Sequence, residues 1–123
     1  MHLIINTSSM VPIYEQIIAG IKRMIIEGEL KNGDILPSVR TLSKELKISA
    51  LTVKKAYDCL EEEGLTATVH GKGTYVRGAS DEMLAEHRRF EIQNELEKTA
   101  KKAAQYGMTK EEVTELLQLI YEE

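Results

Sequence analysis

The chain has 123 residues, a formal net charge of −4, one cysteine and no tryptophan. That length holds one small domain, or a small domain with an extension, and leaves no room for a separate enzyme-sized pocket domain. A lone Cys59 excludes an internal disulfide framework, and apolar runs of only a few residues exclude a membrane-spanning helix or secretory signal, so a cytoplasmic chain with no membrane partner is expected.

A first helix is predicted over residues 11–27, where Val11, Ile13, Tyr14, Ile17, Ile18, Ile21, Met24 and Ile25 recur at three- and four-residue steps. Pro12 suits its first turn and Gly28 its end. Asn32-Gly33 reads as a turn, and Pro37 closes that connection. Ser38 can cap a short second helix, VRTLSKEL, with Val39, Leu42 and Leu46 inward. Lys47-Ile48-Ser49 breaks it. Ser49 can cap a third helix, running to about Glu63, whose inward set is Val53, Ala56, Tyr57 and Leu60. A turn of about three residues between the second and third helices is the spacing of a helix-turn-helix.

After Gly64 come two β-prone runs, LTATV and TYVR, joined through His70-Gly71-Lys72-Gly73, which reads as a hairpin. Its glycines and lysine do not make a nucleotide loop. The pattern G-x-x-x-x-G-K-[ST] would require glycine at Thr66 and a hydroxyl residue at Gly73. Beyond Gly78, Ser80 can cap a long helix reaching about Tyr106, and Gly107 ends it. Thr109 and Glu112 form a capping box for a last helix striped by Val113, Leu116, Leu117, Ile120 and Tyr121. The expected fold is mainly α with a small β-hairpin. Residues 1–78 make a winged helix-turn-helix, and residues 79–123 a C-terminal two-helix dimerisation segment.

Net charge alone argues against a polyanionic partner, but its distribution argues for one. Residues 1–78 hold ten Lys/Arg against nine Asp/Glu, and residues 79–123 hold six against eleven. Arg40, Lys44, Lys47, Lys54 and Lys55 cluster with only Glu45 opposing. A local field of this kind matters more than net charge when a phosphate backbone is bound. In a winged helix the third helix can enter a major groove while the wing runs over the adjacent backbone. Glycine then lets the tip approach closely, and His70 and Lys72 supply donors. Lys54 and Lys55 sit early in the third helix, where a cation opposes the dipole, which favours a phosphate or base role.

The run LPSVRTLSKELKISALTVKKAYDCLEEEGL, followed by HGKGTYV, closely resembles the DNA-binding domain of GntR-family bacterial transcription regulators. The short stretch after the wing resembles the YtrA subfamily, in which a two-helix segment dimerises the protein. The resemblance implies a homodimer on a double-stranded DNA operator, acting as a repressor on a palindromic site, with control of its own operon and of transporter genes. It places Arg40 on the arginine of LPSxR, Ser49, Thr52 and Lys54 on recognition-helix contacts, and His70, Gly71 and Lys72 on minor-groove wing contacts. Ala50 and Leu51 depart from the arginine and polar residue common in the family. They could meet a thymine methyl instead of guanine, or Leu51 could pack locally.

Ile92 and Leu96 on the long helix, with Val113, Leu116, Leu117 and Ile120 on the last, offer more apolar surface than one small domain needs and are expected at the dimer interface. No cofactor, metal or catalytic site is expected. The histidines His2, His70 and His87 lack ligand spacing, and Glu61-Glu62-Glu63 has no nucleophile beside it, leaving solvation or intersubunit pairing as its role. Cys59 reads as a packed thiol, and Tyr57 and Tyr75 as core residues. Lys44 and Lys47 fit a phosphate contact and a solvated helix face equally. Two alternatives stay open. One is a winged-helix protein-interaction module that does not bind specific DNA, and the other adds a small-molecule effector at the dimer interface, though no polar constellation marks such a site.

Overall fold

The computed structural model describes residues 1–123. Its first element, α1 (Ile13–Ile26), buries Ile17, Ile21, Met24 and Ile25 at helical steps. Pro12 stands at the N-cap, one residue outside the first turn, and Val11 is exposed. The helix therefore starts two residues later than its apolar pattern suggests. Gln16 uses its side chain to hold the segment before the helix. Its Oε1 accepts from the Asn6 N–H at 2.8 Å, and its Nε2 donates to the carbonyls of Asn6 and Val11.

Ser38 caps α2 (Val39–Leu46) by accepting from the Thr41 N–H, and Ser49 caps α3 (Ala50–Glu62) by accepting from the Leu51 N–H at 3.1 Å. Each satisfies a donor that the first helical turn leaves unpaired. Val53, Ala56, Tyr57 and Leu60 of α3 pack with α1, Leu36, Leu42, Leu65 and Val76 in one core. Burying each large aliphatic side chain contributes about 1.5–3 kcal/mol. Leu60 is fully buried, so cutting it to alanine would cost about 2–5 kcal/mol.

Two helices end in the same way. At α3 the Leu65 N–H reaches the Leu60 carbonyl and the Gly64 N–H that of Glu61, with Gly64 left-handed at φ +78°. At α2 the Ile48 N–H reaches the Ser43 carbonyl and the Lys47 N–H that of Lys44. This is one Schellman geometry, with lysine where the other has glycine. Lys47 has φ 56° and ψ 48°, and no other non-glycine residue has positive φ.

Strands β1 (Thr66–Val69) and β2 (Gly73–Val76) pair antiparallel, with Ala67 opposite Tyr75 and Val69 opposite Gly73. The connection before α2 is more than a turn. Ile35 bridges to Tyr75, the Leu36 N–H donates to the Thr74 carbonyl, and the Gly33 N–H donates to that of Val76. Residues 33–36 thus cover the outer edge of β2. Tyr75 is half-buried and does not join the core, unlike Tyr57.

The chain divides into two compact units, Met1–Met83 and Leu84–Glu123. The first extends past Gly78 because Ala79 and Met83 pack against its core. Helix α4 (Asp81–Gln105) is preceded by Ser80, whose Oγ accepts from the Met83 N–H. Gly107 ends α4, and the capping box of Thr109 and Glu112 opens α5 (Lys110–Glu122). Within Leu84–Glu123 only Ala103 is buried. The observed class is the expected one, mainly helical with a small hairpin. No helix is long and apolar enough to cross a membrane.

Candidate nucleic-acid interface

Helix α3 turns its apolar side to the core and its other side to solvent. At about 100° per residue, Val53, Ala56, Tyr57 and Leu60 share one side, while Leu51, Lys54, Lys55 and Asp58 lie opposite. Leu51 is 77 % exposed, too much for local packing to account for it. Ala50 is also exposed and Thr52 is half-buried. The Ser49 oxygen is occupied as the helix cap, which leaves its O–H free to donate outward.

The two lysines of this face have different settings. Lys54 Nζ stands 2.9 Å from the Asp58 carboxylate, an exposed i,i+4 pair of low energetic weight. Lys55 Nζ lies over the ring of Tyr14, 3.9 Å from its centroid, and so ties the middle of α3 to the start of α1. Eight residues further along both helices, Lys22 pairs with Glu63 at 3.3 Å. The two contacts show that α1 and α3 run side by side in the same direction.

Arg40 is the second residue of α2; it is exposed and makes no ion pair. The segment leading into α2 is held to α3, because the Tyr57 hydroxyl donates to the Pro37 carbonyl at 2.7 Å. Burial, and secondarily the charge of Glu45, push the Tyr57 phenol far above its ordinary range, so it stays a donor.

His70, Gly71 and Lys72 form the hairpin tip, all exposed, with Gly71 at φ +78°. The Lys72 N–H closes the turn on the Val69 carbonyl at 2.9 Å. Gly73 has φ +116°, and a Cβ there would lie 3.3 Å from Ile35 Cδ1, so this glycine serves both backbone and packing.

The acidic run at the end of α3, for which the sequence offers only solvation or intersubunit pairing, has partners within the chain. Glu61 Oε1 accepts from the Thr68 N–H at 3.0 Å, and Glu63 takes Lys22. Asp58 is a further partner on this helix, and the Lys54–Asp58 spacing is an i,i+4 signal that the sequence carries. Nothing in the sequence marks the Glu61–Thr68 contact.

In the second unit, Ile92, Leu96, Leu116, Leu117 and Ile120 are exposed and Val113 is half-buried. Phe90, Leu119 and Tyr121 are exposed as well. The unit has far more apolar surface outside than inside.

Comparison with known proteins agrees with this geometry. The gntR family of bacterial regulatory proteins matches residues 13–76. The HTH-type transcriptional repressor YtrA of Bacillus subtilis is 37 % identical over 116 residues, which is 94 % of this chain and 89 % of that protein. YtrA from Sulfolobus acidocaldarius, a GntR-family transcription factor of known structure, is 36 % identical, with a TM-score of 0.58 over 98 % of this chain and 97 % of the other. The AraR DNA-binding domain, solved in complex with operator ORX1, superposes with a TM-score of 0.56 and 28 % identity over 62 % of this chain and 98 % of the other. The chain belongs to the GntR family of DNA-binding transcription regulators.

Proposed function

We propose that the protein is a cytoplasmic, homodimeric repressor that binds a palindromic operator. The observation that carries this reading is the exposed face of α3, with Leu51 and Lys54 outward, flanked by the unpaired Arg40 and by a glycine-shaped tip bearing His70 and Lys72. In this reading Arg40, Lys54 and Lys72 neutralise phosphates and supply affinity. Ser49, Ala50, Leu51 and Thr52 meet base edges, while His70 and Gly71 enter the minor groove. Lys55 acts at one remove, by holding the α1 start against α3 through Tyr14.

The dimer uses Ile92, Leu96, Val113, Leu116, Leu117 and Ile120. Support for it is the near absence of buried apolar side chains in residues 84–123, since two helices that bury one alanine need a cover. Two-fold symmetry would place two copies of α3 about 34 Å apart, one turn of DNA. Control of the protein's own operon and of transporter genes is part of the proposal. The carriers of function are all binding groups, and no catalytic role is assigned to any residue.

Selection of bound sites from random duplex DNA at roughly 150 mM salt tests this reading. The expected product is an inverted repeat, with thymine-containing steps where Ala50 and Leu51 reach. Arg40→Ala should cost about 1–3 kcal/mol on that site and lower the salt slope by about 1. Recovery of no motif, with binding that vanishes as salt rises, would leave only nonspecific association.

A further inference from the structure

The two edges of the hairpin are met by different parts of the chain. In an antiparallel pair, alternate residues exchange hydrogen bonds with the partner strand, and the residues between them point their N–H outward. The Arg77 N–H bonds to the Leu65 carbonyl and the Lys72 N–H to that of Val69, with Ala67 opposite Tyr75. The N–H groups of Thr66 and Thr68 therefore face away from β2. On the far side, the Thr74 carbonyl and both backbone groups of Val76 are taken by residues 33–36. On the near side, the outward Thr68 N–H is taken by Glu61, from the last turn of α3.

Glu61 is an expensive choice for an acceptor. A carboxylate in the last turn opposes the helix dipole. Its position relative to the wing is what the contact provides. Thr68 lies two residues before His70, and its hydroxyl is 3.1 Å from that of Thr74 on the other strand. The bond from α3 thus holds both strands just below the tip.

We propose that Glu61 is a positioning residue for DNA recognition, latching the wing to the recognition helix so that the tip and α3 meet the duplex in one fixed relation. The proposal rests on the reading of the tip as a DNA contact. Its physical basis is preorganisation: helix and tip must engage a stiff duplex together, and an unlatched wing would lose conformational freedom on binding.

Glu61→Gln and Glu61→Ala carry the same charge and differ in the acceptor, so comparing them removes the electrostatic contribution. On the selected operator at fixed salt, the alanine variant should bind about three- to tenfold more weakly than the glutamine variant. That gap should close when both variants also carry His70→Ala and Lys72→Ala. A gap that persists in this background, or the absence of any gap, overturns the proposal. Tip substitutions that leave operator binding at the wild-type level overturn the tip reading and this proposal with it. Amide exchange examines the latch alone. In the unsubstituted protein the Thr68 N–H should be protected, although it is an edge donor of β1. Unprotected exchange there overturns the latch even if the alanine variant does not fold.

Discussion

Tyr57→Phe tests how the start of α2 is held against α3. The hydroxyl donates to the Pro37 carbonyl at 2.7 Å from a side chain that is 5 % exposed. Phenylalanine keeps the ring and its packing, so no cavity term arises. The loss is one hydrogen bond, about 1 kcal/mol net, plus up to roughly 1 kcal/mol for a half-buried carbonyl left without its partner. Urea unfolding should show a stability loss of about 1–2 kcal/mol, as a lower midpoint at unchanged slope. A pH signature accompanies it. The folded chain holds the Tyr57 proton more tightly than the unfolded chain does, through burial first and the Glu45 charge second. That contribution is complete below the unfolded tyrosine pKa of about 10 and is lost as pH rises beyond it. Wild type should therefore lose stability relative to Tyr57→Phe only above about pH 10. Operator affinity should fall as well, but no further when Arg40→Ala is already present. An unchanged urea midpoint would refute the reasoning and leave packing alone as what holds Pro37 to α3.

Lys47→Gly should stabilise the first unit by about 1 kcal/mol in the same assay. Relief of left-handed strain, about 1–2 kcal/mol, exceeds the added freedom of glycine in the unfolded chain. A loss of stability would mean that the Lys47 side chain makes up for its backbone. Leu117→Glu combined with Ile120→Glu should yield a monomer by light scattering, together with weaker operator binding. Dimers that survive the double substitution would place the interface elsewhere.

The helices were legible because their signals are local. Ser38, Ser49 and the Thr109–Glu112 box all cap where the sequence places them, and the core face of α3 follows from its spacing. What escaped depends on residues far apart in the chain. Asn32-Gly33 and Pro37 are turn signals, and nothing local says that the residues between them will line β2, about forty positions away. The acids at the end of α3 have no visible purpose until Thr68 and Lys22 are brought beside them. Tyr75 is expected in the core with Tyr57, but it is half-buried on the hairpin. Among the candidate DNA contacts, Arg40, Leu51 and the tip are exposed. The Lys54–Asp58 pair is local and readable from its spacing, whereas Tyr14 meets Lys55 only once α1 packs on α3.

The strip formed by residues 33–36 against β2 also constrains the order of folding. Leu36 donates to Thr74 and Val76 donates to Asp34, so the strip keeps only local bonds, such as that of the Asp34 N–H to the Lys31 carbonyl, until β2 has been made. The three helices can begin to associate earlier, since their contacts are shorter in sequence, but the sheet must wait for its last strand. During synthesis the unit therefore passes through a stage with a helical cluster and an open strand edge, the kind of species that associates wrongly with its neighbours. A chain truncated within the wing would remain at that stage. Such a fragment should aggregate even though every helix of the DNA-reading unit is intact.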